Sequence, residues 1–426
     1  MTKLRNFFNL HFIYYLLLFS VVLFYFYYTS TISISFIPKI IIRNYDQSND
    51  MLFTSYKEYI VLPHVVKSQN YNSSDVIVLI LHISHDQNLT KIRNHIKNWE
   101  GFISLTIYIN INKPNLDELT CTYCKIVSIT KYSKKVDIHF VIKMNNYLYS
   151  IKQFTMFKES YNCEKLYNNI EERICFQKSK NVMENAKKLL QYPINILRNI
   201  GRKYTKAKYI VIADVDHMFS KGFHNKMLST AKKVLKKDEK AVLVYRIFEV
   251  DYEKLEDGPE NKKELEVMMK NNKAFIFHHT FKGGHDISKL DEWFAVPDSS
   301  VPTIQNEEKF RRFGWEPQFV SLSNIPYHDE RFPYPNHDNT NLVSFHYNIL
   351  ITKLLSFQRW ALCMMGYKFL IVNDVFMYHL GLKTFNESHQ VGLAKEMSVP
   401  IFQDAFDKFK NEMIDKYSKN TKKCHF

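Results

Sequence analysis

The stretch Tyr209–Asp216, with the sequence YIVIADVD, most constrains how this chain can fold. It is a short apolar run that ends in Asp214 and Asp216, with only Val215 between them. A near-continuous apolar run of this length is typical of a strand buried on both faces, as in a parallel sheet. Carboxylates at its C-terminal end would lie at the edge where open α/β sheets bind ligands. The stretch therefore predicts an α/β sheet with two acidic side chains at its ligand-binding edge.

The acidic pair has two interpretations when it is considered alone. Two carboxylates so placed could hold a divalent cation against the phosphates of a nucleotide. Asp-x-Asp triplets also occur by chance, as strand ends with solvated acids. The rest of the chain has to decide between these interpretations.

Strand-like runs alternate with helix-like segments on both sides of this stretch, which predicts a mostly parallel α/β sheet. The other predicted strands are Asp75–Ser84, Phe102–Ile111, Val136–Ile142, Ala241–Val250 and Lys368–Val372. The predicted helices are Asn88–Trp99, Lys180–Tyr204 with a break or new start at Pro193, Phe223–Lys237 and one within Leu342–Met365. Tyr161–Glu172 is predicted as a surface loop, and Leu255–Lys273 as a helix or a flap.

The formal charge of +15 raises nucleic acid as a partner. The lysines are scattered, however, as in Ala231–Lys240, and no nucleic-acid-binding motif accompanies them. A basic surface also suits anionic nucleotide-sugars, acidic glycans or membrane headgroups. We therefore expect no nucleic-acid partner.

The N-terminus predicts a membrane anchor. Phe12–Tyr28 carries no charge, and with its apolar flanks it reaches the roughly 20 residues that span a bilayer. Lys3 and Arg5 precede it and no charge follows until Lys39, which places the N-terminus in the cytosol. A cleaved signal peptide is the alternative. The predicted organisation is a cytosolic tail at 1–11, a transmembrane signal anchor at 12–32, a stem at 33–70 and a lumenal domain at 71–426.

Sequons and cysteines agree with a secretory compartment. Three tripeptides predict N-glycosylation, at Asn72, Asn88 and Asn386. The six cysteines favour disulfides in an oxidising lumen, with Cys163 and Cys175 as a plausible local pair, although the pairing is not fixed by the sequence.

The second half of the chain interleaves aromatic and polar residues, which suits either a sugar site or an ordinary aromatic core. Together with the acidic triplet, its short motifs occur in a characteristic order. They are Trp99-Glu100-Gly101, Tyr192–Asn199, Asp214-Val215-Asp216, Phe248-Glu249, Gly284-His285, Trp293, Trp315-Glu316-Pro317, Asp329-Glu330-Arg331-Phe332 and Tyr378-His379. In this order the chain resembles glycosyltransferase family 49 over about Val76 to Lys383. It departs from the family pattern at Arg246, where proline is frequent, and at Pro333–Asn339.

The resemblance implies a GT-A-type nucleotide-sugar-binding fold with a mixed, mostly parallel central sheet. It implies inverting transfer from a UDP-sugar to a glycan or glycoprotein acceptor by a type II Golgi membrane enzyme that uses Mn²⁺, with Mg²⁺ also suitable. Glucuronic acid is the favoured sugar and N-acetylglucosamine the second. A non-catalytic glycan-binding relative and a nucleotidyltransferase are the other hypotheses. The lumenal topology and the lack of a Gly-rich phosphate loop disfavour the latter, and a homodimer is left open.

The resemblance also implies roles for individual residues. Asp214, Asp216 and His379 would hold the metal, with the side chain of His217 pointing away from it. Asp329 or Glu330 would be the base, Asp329 being preferred, unless one of them simply pairs with Arg331. Asn195, Arg198 and Asn199 would bind the donor or else orient their helix. The residues expected to be acceptor-side or structural are Glu249, His285, Trp293 and Trp315.

Overall fold

The computed structural model describes residues 53–69, 74–110, 116–143, 148–176, 179, 181–278, 284–310, 315–333, 357–382 and 385–424. All of them belong to one compact unit, residues 50–426. The predicted tail, the predicted anchor at 12–32 and the sequon at Asn72 lie outside these residues. Among the helices that the structure describes, none is long and apolar enough to cross a membrane.

One mixed sheet of twelve strands forms the centre of the described fold. The strands are β1 (Thr54–Tyr56), β2 (Tyr59–Val66), β3 (Ile77–Ser84), β4 (Ile103–Ile109), β5 (Val136–Lys143), β6 (Tyr209–Ile212), β7 (His217–Phe219), β8 (Ala241–Val250), β9 (Ala274–Ile276), β10 (Ile304–Glu308), β11 (Gln318–Leu322) and β12 (Lys368–Leu380). Their order is β1-β2-β5-β4-β3-β6-β11-β8-β12-β10, with β7 on β12 and β9 on β8.

Helices flank this sheet and connect its strands. They are α1 (Lys91–Asn98), α2 (Leu116–Thr130), α3 (Leu148–Phe157), α4 (Cys163–Leu166), α5 (Val182–Leu190), α6 (Ile194–Lys203), α7 (Phe223–Val234), α8 (Lys262–Lys270), α9 (Leu290–Ala295), α10 (Phe357–Met364) and α11 (Phe385–Tyr417). The predicted break at Pro193 is confirmed, because α5 ends before it and α6 begins directly after it. Proline suits the position before α6, because it has no backbone N–H to donate and is therefore disfavoured inside a helix.

The parallel centre of the sheet consists of β5, β4, β3 and β6. Every residue of β3 and of β4 is buried, as a strand covered on both faces requires. The prediction of a mostly parallel sheet is wrong for the whole, because only four of the eleven pairings between the described strands are parallel. The short strands β7, β9 and β11 all pair antiparallel with their neighbours.

The predicted stem at 33–70 is wrong over β1 and β2. β2 pairs antiparallel with β5, with Leu62 opposite Phe140, and its first four residues are buried. These residues therefore form part of the central sheet.

The described disulfides differ from the predicted pair Cys163–Cys175. Cys121 bonds Cys175, and Cys124 bonds Cys163. Cys121 and Cys124 lie three residues apart on α2, so they share one face of that helix and fix the segment after α3 to it. The predicted loop at 161–172 contains the short helix α4.

A third disulfide and a long strand organise the C-terminal part. Cys363 on α10 bonds Cys424. β12 is longer than the predicted strand Lys368–Val372, because it continues past a bulge between Ile371 and Phe376 and reaches the motif that ends in His379.

Two of the predicted glycosylation sites fall on described backbone. Asn88 is exposed in the loop before α1, and its Oδ1 accepts hydrogen bonds from the backbone N–H (3.1 Å) and the hydroxyl (2.6 Å) of Thr90. Asn386 is the second residue of α11. Modification of either residue remains a prediction.

Candidate active site

The two aspartates lie in the turn after β6, at the C-terminal edge of the parallel centre. β7 begins directly after Asp216 and pairs with the end of β12, with His217 opposite His379. The backbone N–H of Leu380 donates to the carbonyl oxygen of Asp216, at 3.2 Å. The fold thus brings the acidic triplet next to His379, which lies far from it in the sequence.

Two basic side chains bind the carboxylate of Asp214. Nε2 of His82 on β3 and Nη2 of Arg198 on α6 lie 3.2 Å and 3.3 Å from its Oδ1. The hydroxyl of Tyr192 lies 2.9 Å from Nδ1 of His82, so it donates to that nitrogen when Nε2–H donates to Asp214. Burial by itself would raise the pKa of Asp214, but the hydrogen bond from His82 and the charge of Arg198 outweigh it and hold that pKa well below its usual range. Asp214 is therefore an anion near neutral pH.

Asp216 has a different partner. The ammonium group of Lys91, the first residue of α1, lies 2.5 Å from Oδ1 of Asp216. Both side chains are partly exposed, at 43% for Lys91 and 37% for Asp216. The N-terminal end of α1 points to the same edge of the sheet, where its dipole favours negative charge. The acidic pair thus lies next to two positive charges, Arg198 on α6 and Lys91 on α1.

The ring of His379 is oriented as a metal-binding imidazole would be. Its Nδ1 lies 2.8 Å from the carbonyl oxygen of Gly381 and must donate to it. This bond leaves the lone pair of Nε2 available, as is usual for histidine ligands whose other nitrogen binds a carbonyl. Hard carboxylate oxygens together with one imidazole suit Mn²⁺. The chemistry of the donor set therefore fits the predicted cation.

The expectation that His217 points away from this group is wrong. Its ring packs edge-on against His379, with centroids 5.6 Å apart, and its Nδ1 accepts a long hydrogen bond of 3.4 Å from the backbone N–H of Asp214. The antiparallel pairing of β7 with β12 explains the position, because directly opposite residues project to the same face. Burial lowers the pKa of His217 to about 3, although Asp214 opposes the shift.

The predicted metal ligands are adjacent but not gathered around one point. In the part of the chain that the structure describes, one set alone brings three ligand atoms within 4.8 Å of one another: His64, Asp137 and His139. Asp214 and Asp216 each bind a protein cation through Oδ1 instead. A divalent cation that used either of these oxygens would have to replace that partner.

The cluster at His64 lies near the opposite edge of the sheet and is internally satisfied. Nδ1 of His64 is 2.8 Å from Asp137. The backbone N–H of His64 donates to Nδ1 of His139 at 3.1 Å, so Nε2–H of His139 donates to Ser104 Oγ at 3.2 Å. Ser104 in turn donates to the carbonyl of Gly201 at 2.9 Å. Because both nitrogens of His139 are used within the protein, we assign this cluster a structural role.

Helix α6 connects the acidic triplet with the segment 328–330. Arg198 binds Asp214, whereas Asn195 donates to the backbone carbonyl of Asp329 at 2.8 Å. Asn199 donates to the carbonyl of His328 at 2.8 Å and accepts from its N–H at 3.0 Å. Of the three residues predicted to bind the donor, the two asparagines thus hold a loop, which is the orienting alternative. Arg198 alone faces the acidic pair.

Asp329 pairs with Arg331, which is the alternative to a catalytic role for this residue. The guanidinium of Arg331 donates to both carboxylate oxygens of Asp329, at 2.5–3.1 Å, and also binds Glu412 on α11 at 2.7 Å. The side chain of Asp329 is 19% exposed. The C-terminal helix therefore fixes this side of the segment.

Glu330 is held on the other side. Its Oε1 accepts from the hydroxyl of Tyr56 at 2.6 Å and from Nδ2 of Asn199 at 2.8 Å, and its Oε2 pairs with Lys57. The side chain is 8% exposed. Both candidate bases are thus held by protein partners in this conformation.

The two tryptophans expected to be acceptor-side or structural belong to the core, so the structural alternative applies to them in this conformation. Trp293 is fully buried, and its indole N–H donates to the carbonyl of Val372 at 3.2 Å. Trp315 is 3% exposed and packs against Phe310 and Phe369. Neither ring can stack on a sugar in this conformation.

Glu249 and His285 are also buried, so the structural alternative applies to them in this conformation. Nε2 of His285 lies 3.3 Å from the carboxylate of Glu316, and its ring packs against Phe277. Glu249 on β8 lies opposite His379 in the parallel register. Both residues thus support the strand that carries His379.

A solvent-connected cavity of ≈ 450 Å³ opens beside Asp214, between the sheet, α6 and α10. Its polar lining residues include Arg198, Asp214, His217, Ser321, His328 and Arg359. This volume includes the open solvent at the mouth of the cavity.

Sequence reasoning missed His82, Lys91 and Tyr192 as members of the site. The parallel register supplies the signal for two of them. β3 pairs with β6, with Ile80 opposite Ile212, so His82 lies level with Asp214. Lys91 starts the helix after β3 and therefore lies at the same edge. The signal for Tyr192 is its place at the start of the motif Tyr192–Asn199.

The chain was compared with known proteins. A family model described as the glycosyl-transferase for dystroglycan matches residues 76–418. Beta-1,4-glucuronyltransferase 1 of Danio rerio is 21% identical over 395 residues, which cover 89% of this chain and 85% of that protein. The beta-1,4-glucuronyltransferase 1 of Mus musculus is 22% identical over a region that covers 82% of this chain and 77% of that protein. The xylosyl- and glucuronyltransferase LARGE2s of Gallus gallus is 27% identical over 33% of this chain and 18% of its own.

Among solved structures, residues 1–349 of S. aureus TarS in complex with UDP align with 75% of this chain and 64% of that one, at 8% identity and a TM-score of 0.32. A score this low supports no argument about this chain. The family model, in contrast, matches most of the chain and includes the acidic triplet, the segment 329–332 and His379. The chain therefore belongs to the glycosyltransferase family described as the glycosyl-transferase for dystroglycan, and it is a glycosyltransferase.

Proposed function

We propose that this glycosyltransferase is an inverting, metal-dependent enzyme of GT-A type that transfers glucuronic acid from a UDP-sugar to a glycan acceptor in the Golgi lumen. The observation that carries the proposal is the position of α6. One face of this helix binds Asp214 through Arg198, and the same helix binds segment 328–330 through Asn195 and Asn199. The helix thereby links the acidic triplet to the segment that carries the candidate bases, and donor activation and acceptor deprotonation need both.

Asp214, Asp216 and His379 would hold the cation, which would neutralise charge on the diphosphate leaving group. The side chains of Arg198 and Lys91 add two positive charges at the same edge of the sheet. In the reaction, the bond between the anomeric carbon and the diphosphate oxygen breaks, and a bond from that carbon to the acceptor oxygen forms. The acceptor proton passes to Asp329 or Glu330, and UDP leaves.

Compartment and sugar rest on separate support. The three disulfides of the described residues favour an oxidising lumen, as do the predicted anchor and sequons. The favoured sugar follows from the relatives, two of which are named glucuronyltransferases. N-acetylglucosamine is the second candidate sugar.

The test is turnover of a UDP-sugar panel by the full chain, purified in detergent with Mn²⁺ and repeated with a chelator. We expect release of UDP from UDP-glucuronic acid, and loss of at least about 100-fold in Asp214→Asn, the range for removing a group that stabilises the transition state. Asp404→Asn is the matched control, because Asp404 is an exposed acid on α11 that pairs only locally with Lys408. Turnover of no UDP-sugar, or equal turnover in Asp214→Asn and the control, would refute the proposal.

A further inference from the structure

The turn between β1 and β2 lies before the region that the family model matches, which begins at residue 76. It joins two antiparallel strands, with Tyr56 opposite Tyr59 and Lys57 in a left-handed conformation at φ 52°. β2 is in turn paired with β5. The turn is therefore held in a defined place by the central sheet.

This turn supplies two of the three side chains that bind Glu330. The hydroxyl of Tyr56 lies 2.6 Å from Oε1, and the ammonium group of Lys57 pairs with Oε2. The third, Asn199 on α6, donates to Oε1 at 2.8 Å. Glu330 is 8% exposed, and a carboxylate removed from water to that degree needs charge-assisted hydrogen bonds.

The backbone around Glu330 does not depend on the turn. Asn195 and Asn199 hold the main chain of Asp329 and His328 from α6, and Arg331 ties the segment to α11. Loss of the contacts from Tyr56 or Lys57 would therefore release the side chain of Glu330 while the segment stays in place. The contacts of the turn control the orientation of one carboxylate rather than the fold.

We propose that Tyr56 and Lys57 are positioning residues of the catalytic site, which hold the carboxylate of Glu330 in its working orientation. This inference rests on the proposed function, because it gives Glu330 a part in the transfer reaction. It adds to the site a segment that precedes the family-matched region. Lys57 acts through the charge it presents to Oε2, and Tyr56 through the direction of its hydroxyl.

The experiment measures UDP-glucuronic acid hydrolysis, with water as the acceptor, in the full chain. The variants are Tyr56→Phe, Lys57→Met, Lys57→Arg, Glu330→Gln and the double variant Tyr56→Phe/Glu330→Gln. We expect Tyr56→Phe and Lys57→Met each to lower kcat about 10-fold, the loss for one hydrogen bond to a charged group. We expect KM for the UDP-sugar and Tm to stay unchanged. Lys57→Arg should recover most of the rate, because it restores the charge.

The double variant separates positioning from a general structural effect. If Tyr56 acts through Glu330, the double variant should be no slower than Glu330→Gln alone. Ser55→Ala is the matched control, because Ser55 is exposed on β1 next to the turn. Additive losses in the double variant, or wild-type kcat in Tyr56→Phe and Lys57→Met, would overturn the inference while leaving the proposed function intact. Absence of turnover in the unmodified chain would instead overturn the proposed function and this inference together.

Discussion

Lys91→Met is expected to tighten Mn²⁺ binding and at the same time to slow transfer. In the structure, Lys91 occupies Oδ1 of Asp216, which the proposed cation would need. Removal of the ammonium group frees that oxygen and also removes a positive charge beside the cation. Once a diphosphate is bound, the same ammonium group lies next to negative charge and would stabilise the bound donor. The two effects of the substitution therefore have opposite signs.

The size of the first effect follows from the exposure of the pair. An ion pair between partly exposed side chains contributes about 0.2–1 kcal/mol. In Lys91→Met, metal binding would no longer have to break this ion pair. Repulsion between a single and a double positive charge at ~5 Å amounts to about 1.7 kcal/mol in water, and salt reduces it to roughly 1 kcal/mol. The sum of about 1–2 kcal/mol corresponds to Mn²⁺ binding that is about 5- to 30-fold tighter.

The measurement is calorimetric titration of the donor-free protein with Mn²⁺ at physiological salt, followed by kcat with UDP-glucuronic acid. Lys97→Met is the matched control, because Lys97 lies on the same helix but pairs with Glu256. We expect the control to bind Mn²⁺ as the unmodified chain does. Equal or weaker Mn²⁺ binding in Lys91→Met would show that Lys91 does not compete for a cation at Asp216.

Two further predictions concern the corrected elements. Trp293→Ala should lower the free energy of unfolding by about 3–5 kcal/mol, because it removes a fully buried ring. Denaturant titration measures this loss. A variant of unchanged stability that binds the acceptor more weakly would show that Trp293 has an acceptor-side role instead. Replacement of Cys363 and Cys424 by serine should cost about 2–4 kcal/mol, since that disulfide closes a long loop. Thermal unfolding measures that cost, and an unchanged Tm would show that the bond contributes nothing.

The central strands were predictable because burial on both faces leaves a continuous apolar signal. β8 was predicted at its observed bounds, and all ten of its residues are buried. β1 and β2 were not predicted, since an edge hairpin pairs on one side and its apolar signal is short. The disulfides were not predictable either, because two cysteines on one helix face offer alternative partners that only the path after α3 decides.

The candidate site was predictable where sequence order and strand ends define it. Asp214 and Asp216 lie next to His379 because β7, which follows them, pairs with the end of β12. The partners of these acids were harder to predict, since an ion pair such as Lys91–Asp216 depends on which helix follows the neighbouring strand. The role of Trp293 was left open for a related reason, because an aromatic residue in a polar context has the same sequence signal in a core as at a sugar site.

Arg246 shows that a departure from the family pattern need not change the site. Its side chain is buried and donates to the backbone carbonyls of Ile287 and Ser288, at 2.7 Å and 2.6 Å, while its guanidinium lies over the ring of Trp293. Burial lowers its pKa to about 10, yet leaves it charged at neutral pH. A proline at this position could supply none of these bonds, so the arginine fixes the loop before α9 from within. Because its donors are directed at this loop, Arg246 stabilises the structure next to β8, and its side chain takes no part in the group around Asp214.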